Sequence, residues 1–382
     1  MTERLARGLY LLSLLLLPWG ALLPLAALHE HASLGDVVFA LATVAWAGTL
    51  LAARRRPTLR LVHLALGAYL GWAVLSLCVA SAPPPSGPAK LLGMAMLAGL
   101  LVVTSEMMGR PGMPAAIGRT VAATAVAAAA AVAGVVLGLL GRATPFVGTS
   151  GDLLPGPLPR PQAGFIHPNL LASFCVFASA VVAREDAGLG RGLRRFVQAA
   201  LALTVLLTLS RAILAFVLSF AVRQASTPRR KRLAALGALA FAAVMVVLTA
   251  CNLALEPTRP WEARLLETPS PRLQAARTAL ATLAAHPLFG SGPGSQPARV
   301  DEAPCDAHLT PLNVAATLGV PALLALVTLV AALWRQRQRP TDLVTWGLLA
   351  AFALDGLGQD VEDFRHLWIA LGLADAGRRR ET

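Results

Sequence analysis

His308 stands in CDAHLTPLNVAATLGVP (305–321), where a short polar string runs into an apolar stretch with no charged residue between them. Imidazole titrates near neutrality and is the side chain that most often moves protons in enzymes. His308, with Asp306 two residues before it, is therefore a candidate general base. A histidine at a helix start serves equally as a structural group, and both readings stand on these residues alone. Arg211 lies between LALTVLLTLS and AILAFVLSF with no loop around it. Either it snorkels to lipid headgroups, or it faces a polar cavity and binds an anion.

Arg272 sits in SPRLQAARTALATLAAHPLFG. Ser270 predicts an N-cap and Pro271 the first helical position. Leu273, Ala276, Leu280 and Leu283 predict an apolar face, and Pro287 predicts the stop. A cation in the first turn opposes the helix dipole by roughly 0.3–1 kcal/mol. A bound anion reverses that sign, taking the guanidinium fork and the free backbone N–H groups together. The alternative is a solvated arginine on a surface helix.

Four further stretches carry polar groups. GSGPGSQP (290–297), with Gly290 and Gly292, lacks the ending of a phosphate loop and follows no strand, so it reads as a flexible turn. His167 and Asn169, in the helix start HPN, read as capping groups, and Arg160 adds a cation shortly before them. In DVEDFRH (360–366), carboxylates and an imidazole suggest Mn or Mg, but Arg365 among them favours internal ion pairs, and no metal site is expected. Asp355, inside an apolar span, is expected to face the bundle interior with a polar partner. The four cysteines show no metal-ligand spacing. Cys251 and Cys305 flank segment 253–309, which a disulfide would close in an oxidising compartment.

These groups need a scaffold, and the composition names it. Of 382 residues, 56% are hydrophobic and 14% charged, with a mean hydropathy of +0.64. Soluble domains carry about 25% charged residues, so the expected fold is all-α and polytopic in a membrane. The net charge of +13 does not imply nucleic acid, because the basic residues form short clusters between apolar spans, as orienting charges do. Membrane lipids are the implied surroundings.

Apolar stretches near 8–28, 34–53, 59–81, 90–108, 118–141, 165–183, 196–210, 212–222, 233–252, 310–334, 342–358 and 366–377 predict about twelve spans. The first is too long for a signal peptide's apolar region and reads as a span that stays. With a cytoplasmic N-terminus, 23 of the 33 Lys and Arg fall on the inside and 10 outside, which puts both termini in the cytoplasm. Residues 1–382 then form one integral membrane domain, with 253–309 as its large outside loop. Segments 142–164, 253–309 and 359–365 lie outside and hold half of the acidic residues, so the chemistry is expected on the non-cytoplasmic face. Long loops of this kind are usually functional.

Five stretches in order resemble the O-antigen ligase and polymerase superfamily, membrane glycosyltransferases that use polyprenyl-diphosphate-linked glycans. They are GFIHPNLLA (164–172), TLSRAILAF (208–216), RLQAARTALATLAAHPLFGSGPG (272–294), AHLTPLNVAATLGVPALL (307–324) and DVEDFRHLWIALGLA (360–374). The resemblance implies about twelve transmembrane helices with short helices in a periplasmic loop, in a bacterial inner membrane, and no cofactor. It implies that Arg211 and Arg272 hold the donor's pyrophosphate, with Arg160 a weaker match, and that His308 is the base. His167, Asn169, Asp306, Gly290 and Gly292 would support them. Two positions depart from the pattern: Leu309 follows His308 where an asparagine is usual, and Ala276 stands where the loop helix commonly carries a tryptophan.

The implied chemistry suits these residue types. A diphosphate linked to a sugar's C1 leaves readily once arginines neutralise its charge with bidentate hydrogen bonds. The acceptor hydroxyl needs a base, worth about 10²–10⁴-fold, and in-line attack inverts the anomeric centre. The acceptor is lipid A-core for a ligase and another glycan for a polymerase, with a protein O-glycosylating relative as a third reading. A lipid-linked oligosaccharide flippase or other transporter is the competing class. It would show inverted repeats, and no clear repeat is present.

Overall fold

In a computed structural model the chain is described at residues 2–20, 22, 32–53, 60–80, 84–140, 145–148, 160–208, 210, 212, 215–217, 219–220, 271–300, 302–335, 343–357 and 359–376. These residues are mostly helical. Among the described residues, four helices are long and apolar enough to cross a membrane: α2 (Leu34–Ala52), α3 (Leu61–Val79), α4 (Gly87–Met108) and α5 (Met113–Val136). The protein is thus multi-pass, with each of these helices on one of the expected spans. Arg211, Cys251 and the expected span 233–252 lie outside the described residues.

The first expected span divides. Helix α1 (Thr2–Leu16) gives way to a 3-10 turn at Leu17–Trp19. Pro18 lacks an N–H and its ring crowds the preceding turn, which ends an α-helix.

The chain falls into two compact units, one of residues 1–49, 107–261 and 340–355, the other of 50–106, 262–339 and 356–382. In the first, α5 packs on α1, on α6 (Pro168–Ala183) and on α7 (Arg191–Thr208). α6 also packs against α11 (Leu343–Asp355), and its side chains from Leu171 to Val182 are all buried. A helix that is apolar all round belongs in a core, and Phe174 and Phe177 anchor it there. A short hairpin, β1 (Val147–Gly148) with β2 (Arg160–Pro161), precedes α6. Asp355 is buried at the end of α11, as an ionisable group within an apolar span requires.

In the second unit α3 packs along α10 (Val320–Arg335). α8 (Pro271–Ala285) lies on the hairpin of β3 (Ala298–Val300) and β4 (Ala303–Cys305), and on α9 (Thr310–Leu318). α12 (Arg365–Ala376) packs on α10, and its fully buried Asp375 accepts from Ser105 Oγ at 2.6 Å and pairs with Arg60.

α8 starts and stops where Pro271 and Pro287 predict, but its packed face is turned from the expected one. Ala275 and Ala279 are fully buried, Ala276 and Leu283 lie beside them, and Leu280 is exposed. Thr278 Oγ1 accepts from Arg299 N at 2.8 Å, and Thr282 Oγ1 donates to Pro297 O at 2.8 Å. Small and hydroxylated residues at 275, 278, 279 and 282 therefore meet the hairpin, because its backbone approaches closely and offers polar groups. No tryptophan is needed at Ala276 for this contact.

The expected span 310–334 is two helices, broken at Gly319. The GSGPGSQP run proves to be the cap that makes the break tolerable, rather than a flexible turn. Ser291 N donates to Ala316 O at 2.9 Å and Gly292 N to Thr317 O at 2.8 Å, satisfying carbonyls at the end of α9. Val320 N, opening α10, donates to Pro287 O at 2.9 Å. Gly290 has φ +62°, and a Cβ there would meet the Thr317 carbonyl. Trp72 of α3 stacks on Phe289 with centroids 5.2 Å apart and donates from Nε1 to Leu288 O at 3.0 Å. A cavity of about 460 Å³ opens beside this turn, lined by Val79, Ala80 and residues 286–291.

Candidate functional site

His308 is carried between two fixed points. β4 delivers the chain to Asp306 and the buried Ala307, which packs with Ala275, Ala279, Ala298, Leu312 and Ala316. Beyond it Leu309 is the N-cap residue of α9, with Pro311 in the first turn. His308 between them is exposed, with φ +54°. A non-glycine residue in this left-handed region costs of order 1–3 kcal/mol and persists only where its surroundings impose it. They do so here. Ala307 N donates to Asn313 Oδ1 at 3.1 Å, and Thr310 N donates to Gly356 O at 2.8 Å.

The same first turns of α9 hold the acidic segment 359–363. Thr310 Oγ1 donates to Gln359 O at 3.0 Å and accepts from Val361 N at 2.9 Å. The buried Asn313 donates from Nδ2 to Asp360 Oδ2. Trp368 Nε1 donates to Glu362 O at 2.6 Å. Lys90, in the first turn of α4, pairs with Asp363 and lies 3.7 Å from Glu362 Oε1. The carboxylates of DVEDFRH, expected to pair within the segment, thus take an ion-pair partner from a lysine far off in sequence, whose charge the sequence alone marks only as lying outside. Among the described residues no group of three or more His, Cys, Asp or Glu is arranged to hold a metal.

The segment's electrostatics follow from burial. Burial pushes Glu362 up to about 8, with Asp363 and Asp306 adding to the rise and Lys90 opposing it. Asp360 is raised chiefly by burial, then by Glu362, Asp363 and Asp306. Asp306, beside His308, thus lies within electrostatic reach of this cluster. The Cys305 thiol is also raised, by burial and by Asp306.

A stability test follows from Glu362. The folded chain keeps a proton that the unfolded chain has released, so its contribution is full below pH 4.5 and is lost as pH rises through about 8. The wild type should melt lower at about pH 8.5 than at about pH 5.5, and E362Q should show a smaller fall, Asp360 supplying the remainder. Equal slopes in a thermal-shift series in detergent would contradict the assignment.

The other unit holds the second group of expected site residues. His167 caps α6, its Nδ1 accepting from Asn169 N at 3.1 Å. Asn169, expected to cap as well, instead offers Oδ1 to Arg160 at 3.2 Å. Arg160 is buried and also donates from Nε to Thr208 O at 3.0 Å. It ties the hairpin before α6 to the end of α7, immediately ahead of the Ser210-Arg211 run. Arg272 has its backbone in the first turn of α8, and its side chain lies outside the described parts, as does Arg211.

Asp306, His308, Gly290 and Gly292 are therefore gathered around α8 and α9 in one unit, and Arg160, His167 and Asn169 around α6 and α7 in the other. Sequence reading missed Thr310, Asn313 and Lys90. The first two sit at i and i+3 in TPLN and so share a helix face, a signal that was legible.

Residues 196–327 match the family model described as O-antigen ligase. The match takes in most of α7, the Ser-Arg run, α8, the β3–β4 hairpin, His308, α9 and the first half of α10. No curated protein matches the chain. Over residues 196–327 the match bears out the resemblance read from the motifs: this part of the multi-pass membrane protein is similar to the O-antigen ligase family, whose substrates in general are a lipid-linked glycan and an acceptor.

Proposed function

We propose that the protein transfers a glycan from a polyprenyl-diphosphate carrier onto a sugar hydroxyl of lipid A-core, at the periplasmic face of the bacterial inner membrane. The observation that carries this reading is His308, presented to solvent in an imposed left-handed turn inside the segment that matches the O-antigen ligase family. His308 takes the acceptor hydroxyl's proton as it attacks the donor's anomeric carbon. Arg211 and Arg272 neutralise the departing diphosphate, so no metal is needed, and the anomeric centre inverts. Arg160 acts one step back, holding the chain on either side of α6 and α7 that leads to Arg211.

A polymerase joining glycan to glycan shares these motifs. The one moderately long outside loop, 253–309, favours the ligase. Purified protein given a polyprenyl-diphosphate-linked oligosaccharide, with lipid A-core and free repeat unit as rival acceptors, should glycosylate lipid A-core. Product on the repeat unit alone would make it a polymerase. In the same assay Arg211→Lys and Arg272→Lys should each lose about tenfold or more, because one charge-assisted hydrogen bond is worth about 1.5–3 kcal/mol and an ammonium cannot reproduce the fork. Wild-type rates in both would refute diphosphate binding by these arginines.

A further inference from the structure

His308 is followed by Leu309, whose side chain offers no hydrogen bond, yet the loop is held in a backbone conformation that needs holding. The polar group that reaches it is Asn313, on the next turn of α9. Its Oδ1 accepts from Ala307 N at 3.1 Å, one residue before His308, and its Nδ2 donates to Asp360. Asn313 is buried and both ends of its amide are engaged, so the amide cannot turn over without losing two bonds. Asp360 in turn belongs to a segment fixed by Thr310 Oγ1 through Gln359 O and Val361 N. The result is a closed circuit from the residue before His308, through Asn313 and Asp360, back to the residue two after it.

We propose that Asn313 is the positioning residue of His308, and that the Ala307–Asn313–Asp360 bridge sets where the imidazole meets the acceptor hydroxyl. This rests on His308 being the base. Asn313 touches no substrate. It acts by fixing the backbone on which the base is mounted, and a misplacement of about 1 Å is enough to cost about a hundredfold in rate.

The bridge has a direction, which supplies the test. N313D keeps the acceptor for Ala307 N but removes the amide donor and, assayed at alkaline pH where the raised Asp360 has given up its proton, sets two carboxylates face to face. The double variant N313D/D360N exchanges donor and acceptor and restores both bonds. Purified variants are assayed for transfer from a polyprenyl-diphosphate-linked oligosaccharide to lipid A-core. N313D and N313L should lose about tenfold to a hundredfold in kcat, with KM for donor and acceptor within about twofold. N313D/D360N should recover to within about threefold of wild type. Adding N313L to H308A should cost nothing further, since both act through one imidazole.

A wild-type rate in N313D, a loss confined to KM, or a swap as inactive as N313D would overturn the proposal while leaving His308 as base. A fully active H308A would instead remove the base itself. Should N313L fail to fold, the N313D pair carries the test alone, because recovery on exchange is not expected of a general loss of stability.

Discussion

His308→Ala should reduce glycan transfer by about 10²–10⁴-fold and leave the amount of protein in the membrane unchanged. The two halves of this expectation have separate causes. The imidazole is exposed, so its removal leaves no cavity in the core. Alanine meets much the same left-handed strain at φ +54°, and the bonds of Ala307 and Thr310 that impose the turn are made by backbone atoms and by Asn313. Folding is therefore preserved while the proposed proton acceptor is lost. The sugar hydroxyl must then give its proton to water, which costs the factor assigned to a positioned base. Because the site is open, added imidazole should restore part of the rate. Full activity in H308A, at any buffer composition, would end the assignment.

Gly319→Ala should have the largest effect on stability. Gly319 has φ +90° and ψ 166°, a combination essentially confined to glycine. A Cβ there would fall onto the Leu288 carbonyl and against Phe289 N. That carbonyl accepts from Trp72 Nε1, and Val320 N beside it donates to Pro287 O. The turn cannot retreat without giving up these bonds and the Trp72–Phe289 stack. Strain and collision together should exceed about 3 kcal/mol, enough to lower the melting temperature sharply or prevent accumulation. Gly112 provides the contrast, with φ +74° but open space where a Cβ would stand. G112A should cost only the left-handed penalty of about 1–2 kcal/mol. Equal melting temperatures for the two variants in the same detergent would contradict the packing described for the α9–α10 break.

Local chemistry was legible wherever the chain itself decides. Pro271 and Pro287 bounded α8, His-Pro-Asn opened α6, and hydropathy announced α2 to α5. The break in 310–334 had its signal too, since Gly319 followed by Pro321 is a helix-ending pattern. An apolar run long enough to span outweighed it. The face of α8 was misread for a different reason. Leucines mark the buried side of an isolated amphipathic helix, but this helix meets a hairpin backbone, which selects Ala275, Thr278, Ala279 and Thr282. No local pattern carries the partners of the acidic segment: Asn313 reaches Asp360 across 47 positions and Lys90 reaches Asp363 across 273. Such pairs are created by the fold. Leu309 shows the consequence, because an amide absent from the expected position is met by another, four residues on.

Chemical transfer, rather than movement of a lipid-linked glycan across the bilayer, is the central claim, and one measurement separates the two. The purified chain is reconstituted in vesicles with a polyprenyl-diphosphate-linked oligosaccharide labelled in its sugar, with and without lipid A-core. Labelled product and free polyprenyl diphosphate are then followed together with the label's sidedness. Carrier should be released only when acceptor is present, one for each glycan transferred, with the new linkage inverted, and H308A should stop both. Label crossing the bilayer still attached to its carrier, with no carrier released in the presence of acceptor, would contradict transfer.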